Sequence, residues 1–299
     1  MDLVIKDLYK DELRSNFLVT ADRKKVWQAE LNILRELDRI CRKHGIRYFA
    51  DYGTLLGAVR HQGFVPWDDD IDVVMLRPEY ERFKQVAAIE IREPLFFQNT
   101  YTDGFVTGFS KIRDSRTSAV EFPDYDGMHQ GIFVDIFPLD DVPDGSVRQN
   151  NIFQIELEIW RTIMDERNLQ HDLANGAATR LSGDLLHRLL ALPRQERFAE
   201  YEKFCSNHFG TSEMIDVVTY TFGGSGVQLP REYYADVVYL PFEGIQIPAP
   251  KLYHEVLSRR YGDYEKPVRG GSMHEGIILS ADISYRELMA AYQKDSSLE

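Results

Sequence analysis

Between Trp67 and Met75 the chain reads WDDDIDVVM, which sets four carboxylates, at positions 68, 69, 70 and 72, beside a run of apolar residues. Along a strand successive side chains alternate faces, so Asp68, Asp70 and Asp72 are predicted to line one side. Asp69 then shares the other side with Ile71, Val73 and Met75. Carboxylates on one face repel each other and call for a counter-charge. A hard divalent cation, Mg²⁺ with Mn²⁺ as the alternative, takes carboxylate oxygens and leaves room for phosphate oxygens. A solvated acidic edge is the plainer reading, but VPW before the run and VVML after it look buried. An EF-hand is rejected: Asp68, Asp70, Asp72 and Glu79 fall at positions 1, 3, 5 and 12, but Val73 replaces the turn glycine and Pro78 falls at position 11.

Upstream, the β-forming run Ile46 to Tyr52 meets Gly53-Thr54, and a short helix is expected over Leu55 to Arg60. A strand, a Gly-Thr turn and a helix together present backbone N–H groups and a hydroxyl to a phosphate oxygen. Downstream, Val134-Asp135-Ile136 offers a further acid between apolar neighbours. Taken alone, Asp135 reads equally well as a hydrogen-bonded residue at a strand end.

These motifs need elements to hold them. A helix is predicted from Ala21 to His44, with Trp27, Leu31, Leu34 and Cys41 on one face and Gly45 as its stop. Strands are expected over 69–76 and 131–137, and Pro78 opens a helix over 79–89. Residues 146–208 turn helical, 220–250 read as loops and short strands, and a last helix spans about Lys251 to Arg260. The expected division is a catalytic core over 20–145, a helical insertion over 146–210, and a C-terminal segment over 211–299 that packs back on the core.

Composition narrows the classes. The 299 residues carry 48 Asp+Glu against 35 Lys+Arg, a net charge of −13 that disfavours nucleic-acid binding. Hydrophobic residues make up 43%, which excludes wholesale disorder. Two cysteines, Cys41 and Cys205, make no disulfide framework, and no signal peptide or membrane span is visible, so a cytoplasmic location is expected.

The Gly-Thr turn followed by Asp70-Ile71-Asp72 and a later Asp135 resembles the nucleotidyltransferase core, which implies an α/β (α+β) fold with a mixed sheet and a helical insertion. The run GTLLGAVRHQGFVPWDDDIDV (53–73) resembles more narrowly the LicD family, whose best-known members are phosphocholine transferases and which includes fukutin and fukutin-related protein. Supporting matches are EYERF (79–83), KIRD (111–114), GIFVDIFPLD (131–140), and YGDY (261–264) with Pro267. The resemblance implies transfer of a phospho-alcohol, foremost phosphocholine from CDP-choline, to a hydroxyl of a glycan or lipid-linked glycan. The glycan would belong to a teichoic acid, lipopolysaccharide or capsule precursor, and CMP would be released. It further implies a metal site of Asp68, Asp70, Asp72 and Asp135, with Asp135 either ligand or base. Gly53, Thr54, Arg60, His61, Trp67, Lys111 and Arg113 are the implied substrate contacts, the last two against the diphosphate. A lipid-linked acceptor implies transient contact with the inner membrane face. For a choline ammonium the aromatic candidates are Tyr52, Phe64, Trp67 and Tyr125; His274 is a further polar candidate. The rivals are CDP-ribitol or CDP-glycerol chemistry, true nucleotidyl transfer with pyrophosphate release, and a non-catalytic glycan-binding protein.

Overall fold

The structure is a computed structural model that describes residues 4–104, 108–123, 125–142, 160, 188, 191–218, 226–270 and 276–296. After a small hairpin of β1 (Glu12–Arg14) and β2 (Phe17–Val19), α1 spans Ala21–His44, the limits predicted. Both ends follow from local chemistry. The Thr20 hydroxyl accepts from the Arg23 N–H, and Gly45 closes the helix in the left-handed region at φ 59°. Trp27, Leu31, Leu34, Leu37, Ile40 and Cys41 form its fully buried face.

Among the described residues the central sheet has seven strands. β3 (Phe49–Ala50) lies antiparallel to β4 (Asp72–Leu76), and β4 runs parallel to β8 (Phe133–Val142). β6 (Ser110–Asp114) pairs antiparallel with both β8 and β5 (Leu95–Gln98). The far end of β8 pairs with β9 (Met214–Asp216), which pairs with β10 (Leu229–Pro230). This mixed sheet, with helices packed on it, is the α+β architecture expected.

Boundaries shift: the run over 46–52 is a strand only at Phe49–Ala50, the strand expected over 131–137 runs Phe133–Val142, and the last predicted helix spans Tyr253–Tyr261. α2 spans Tyr52–His61 rather than 55–60, because the Asp51 carboxylate accepts from the Tyr52 N–H at 2.7 Å and starts the helix early. Gly53 and Thr54 therefore lie in its first turn. β4 begins at Asp72, not 69, since the ladder partners for β4 start there and residues 68–71 form no strand. α3 (Arg77–Glu90) follows β4 directly, with Pro78 in its first turn.

In the C-terminal part, α4 (Arg194–His208) packs on β8 and α3, and the hairpin of β11 (Val237–Phe242) and β12 (Ile245–Pro250) packs on α2 and β3. α5 (Tyr253–Tyr261) lies against α2. β13 (Ile278–Ser280) pairs with β7 (Ser118–Val120), and the chain continues into α6 (Tyr285–Ser296), a helix not anticipated from the sequence. Most of the expected helical insertion lies outside the described residues. No helix among the described residues is long and apolar enough to cross a membrane.

Candidate active site

The site is built at the starts of two parallel strands. Asp72 opens β4 and is registered to Asp135 on β8, while Lys111 on β6 is registered to Asp135 from the other neighbour. Paired residues of a sheet share a face, so two carboxylates and one ammonium stand side by side. Carboxylate oxygens of Asp70, Asp72 and Asp135 lie within 4.8 Å of one another. Two unit charges that far apart repel by roughly 3–4 kcal/mol at an effective dielectric of about 20.

Lys111 offsets part of this. Its Nζ lies 3.0 Å from Asp135 and 3.8 Å from Glu121, and it sits 3.5 Å over the Phe133 ring. One ammonium shared by several acids leaves excess negative charge. Burial pushes the Asp72 carboxyl well above the usual range, and Asp70, Asp135 and Asp68 push it further. An all-oxygen donor set with that imbalance fits a hard divalent cation and does not suit a soft one.

A second gathering was not foreseen. Asp68, Asp69 and Asp70 also bring carboxylate oxygens within 4.8 Å of one another. The expectation that Asp69 faces away with Ile71 fails, because strand alternation does not apply before Asp72. Instead the Asp68 N–H donates to the Val65 carbonyl at 2.9 Å, and the Asp68 carbonyl accepts from Arg23 at 2.7 Å and from the Trp27 indole at 3.0 Å.

The α2 start holds the acids in place. The Thr54 hydroxyl, 2% exposed, accepts from the Asp72 N–H at 2.8 Å, so it positions the acid strand rather than standing open to a phosphate. A Cβ on Gly53 would stand 2.1 Å from an Asp68 carboxylate oxygen, so only glycine lets that carboxylate sit on the helix start. Gly53→Ala is expected to displace Asp68 and lower turnover with little loss of thermal stability. Matched rates and melting curves check this, and an unchanged rate would remove Asp68 from the site.

Asp51 is fully buried beneath this turn. Arg260 of α5 grips it with two bonds of 3.0 Å each, and the Tyr234 hydroxyl donates to the same carboxylate. Tyr52 adopts φ 46°, a left-handed conformation that a bulky residue holds only when its surroundings enforce it. The Arg260 guanidinium lies 4.1 Å over its ring.

The remaining expected contacts divide. Arg113 is fully buried and donates to Gln98, to the Gly131 carbonyl and to Glu121, so it braces the sheet and is not available to a diphosphate. Arg60 ends α2, donates to the Tyr264 carbonyl at 3.1 Å, and has one amino group with no hydrogen-bond partner among the described residues. It lies 5.9 Å over Trp67, the residue before Asp68. Of the aromatic candidates, Phe64 is core, stacked on Trp27, and Tyr52 already carries Arg260 on its face. Tyr125 is exposed and packs by Gly104 and Gly127, and Trp67, which precedes Asp68 in the chain, packs against Phe17 and His61 with Arg60 over its ring. His274 lies outside the described residues.

Burial lowers the His61 ring to about 4, with Arg60 and Arg14 adding repulsion. The imidazole is therefore neutral at pH 7 and supplies no cation. By linkage, a depressed histidine loses stabilisation as pH falls from its unfolded value near 6.5 toward 4. A proton NMR titration should place the ring near 4, and a midpoint above 6 would reopen it as an anion contact.

Sequence reasoning missed Glu30, Asp51, Tyr234 and Arg260. Glu30 carried a signal, an acid falling between Trp27 and Leu34 on the apolar side of α1; it is 2% exposed. The others join positions about 200 residues apart and left none.

The mixed sheet registers acids on adjacent strands and sets a helix start beside them. The LicD/FKTN/FKRP nucleotidyltransferase domain matches residues 45–164. The chain is also 32% identical over 243 residues, covering 79% of this chain and 88% of the relative, to the lipopolysaccharide cholinephosphotransferase LicD of Haemophilus influenzae. A shorter match, 39% over 54 residues and 18% of each chain, is to an uncharacterized protein of Rickettsia typhi. The chain belongs to the LicD family.

Proposed function

We propose that this protein is a cation-dependent phosphotransferase that moves phosphocholine from CDP-choline to a hydroxyl of a lipopolysaccharide-type or related cell-surface glycan, releasing CMP. The observation that carries the reading is the registered group of Asp70, Asp72 and Asp135 with Lys111 beside it, in a chain similar over most of its length to a cholinephosphotransferase.

The acceptor oxygen attacks the choline-bearing phosphorus, the bond from that phosphorus to the bridging oxygen breaks, and CMP departs with the bridging oxygen. Little covalent work falls to the protein in such a transfer; position and charge matter most. Asp70, Asp72 and Asp135 would hold Mg²⁺ or Mn²⁺, with Asp68 beside them. The cation would supply charge neutralisation at the diphosphate. Lys111 pairs with Asp135 at 3.0 Å, and Asp135 would act either as a ligand of that cation or, released from it, as the base that takes the acceptor hydroxyl's proton. Arg60, at the α2 end, would meet the phosphate, and the Trp67 ring, over which Arg60 now lies at 5.9 Å, would take the ammonium in place of that guanidinium.

The test is product analysis with purified protein, Mg²⁺, a glycan acceptor and either CDP-choline, CDP-glycerol or CDP-ribitol. CMP release from CDP-choline with choline phosphate on the acceptor supports the reading. Turnover of only the other two moves the donor assignment, and pyrophosphate from a nucleoside triphosphate replaces the reaction class.

A further inference from the structure

Between α1 and β13 lies a cavity of about 300 Å³, at the small end of ligand pockets, that the transfer chemistry does not yet use. One wall is the first turns of α1. The other is β13 and the turn after it, held by the pairing of β13 with β7 and by a 2.8 Å bond from the Ser118 hydroxyl to the Ile283 carbonyl. Asp69 lines the cavity too, and through it the cavity adjoins the reacting acids. The Asp69 carboxylate lies within 4.8 Å of that of Asp70, which lies within 4.8 Å of Asp72 and Asp135 in turn.

The lining selects among ligands. Its charges are Asp22, Asp69 and Asp282 against Arg23 and Lys25, an acidic excess that disfavours a phosphate or diphosphate. Among the described residues none that lines it is aromatic, so neither a cytosine ring nor a choline ammonium finds a face to stack on. What it offers is hydrogen bonding in both directions, with the hydroxyls of Thr20 and Ser280 beside the charged groups and apolar carbon from Val26 and Leu279. That mixture suits a neutral sugar, whose hydroxyls donate and accept and whose ring carbons carry apolar C–H groups. Lys25 links the two walls, with its Nζ 2.7 Å from Asp282 and 3.1 Å from Asp22. Both acids are largely exposed, so these pairs are weak and exchange readily for sugar hydroxyls.

We infer that this cavity is the acceptor subsite: it holds a neutral sugar unit of the glycan while a neighbouring hydroxyl of the same glycan reaches Asp70, Asp72 and Asp135. The inference rests on the proposed transfer to a glycan hydroxyl and adds where the glycan lies. Direct transfer needs both substrates bound at once. Arg60 and Trp67, the donor contacts proposed above, are not among the residues that line the cavity, so donor and acceptor have separate places.

The test uses the full chain, Mg²⁺ and a deacylated lipopolysaccharide oligosaccharide, with binding measured by isothermal titration calorimetry. Ala281→Trp fills the cavity from the β13 side and alters no charged group. It should weaken the oligosaccharide by about tenfold or more, as a built-in clash does, and leave CDP-choline within about twofold of wild type. Unchanged oligosaccharide binding in Ala281→Trp, or no binding by the wild type, overturns the subsite. An equal loss for CDP-choline would make the cavity a donor site and overturns it as well. If the oligosaccharide binds and Ala281→Trp weakens it, yet CDP-choline releases no CMP, the proposed transfer fails and the sugar subsite stands. Should Ala281→Trp unfold, as circular dichroism would reveal, Asp282→Ala takes its place, because that side chain is 63% exposed. A loss of about fivefold in oligosaccharide affinity is expected of it, the scale of one hydrogen bond, and unchanged binding overturns the inference.

Discussion

Asp72→Asn is expected to lower turnover by on the order of 10²-fold or more, the scale seen when a main electrostatic stabiliser of a transition state is removed. The argument lies in how fully this one side chain is fixed. Its N–H is held by Thr54, its carbonyl accepts from the Asp51 N–H at 3.2 Å, and its register sets it beside Asp135. Asparagine keeps the shape and loses the charge. In the cation-free protein that charge is unfavourable, since burial and four neighbouring aspartates all disfavour it. The variant should therefore melt no lower than wild type without cation while losing most of its activity. Rates of CMP release and melting curves measured on one preparation decide the matter. Near-normal release would remove Asp72 from the chemistry, and a large fall in melting temperature would make its role structural instead.

The second large effect concerns stability. Asp51→Ala should destabilise the fold by about 3–5 kcal/mol, the usual consequence of stripping one partner from a buried ion pair. Both members are buried: the Asp51 side chain is 0% exposed and that of Arg260 3%. Alanine would leave the guanidinium uncompensated, the Tyr234 hydroxyl unmatched and the α2 start uncapped. Pairing Asp51→Ala with Arg260→Met should recover a large part of the loss, because the stranded charge is then gone. Urea unfolding of the two single variants and the double variant supplies the comparison. A loss under about 1 kcal/mol in Asp51→Ala would mean that the pair contributes far less than buried pairs do.

How much of this was legible in the chain depends on distance along it. α1 was readable at both ends because Thr20 and Gly45 act within one turn of the residues they cap. Asp72 and Asp135 stood out because an acid between apolar neighbours is costly wherever it lies, and Asp70 because it precedes Ile71-Asp72 in an acidic run. Their neighbours were harder. Thr54 and Arg113 have residue types that suit phosphate, but which partner they find is set by packing, and protein groups take both. Asp69 was misplaced because strand alternation was extended three residues too far, into a segment shaped by bonds from α1. α6 escaped although it is as amphipathic as α5; its buried residues, Tyr285 and Met289, pack on β7 rather than the main core.

The bond between Asp51 and Arg260 has a bearing on how this chain can be divided. The segment that carries the acids ends by 142, yet the cap of its key helix is secured from 260, and β9 at 214–216 completes its sheet. The acidic half is thus no portable cassette. Grafted alone onto another protein, or expressed without its tail, it would keep every carboxylate and lose the anchor that orients them. The residues around 51 and around 260 have to stay in one chain for the helix cap to survive.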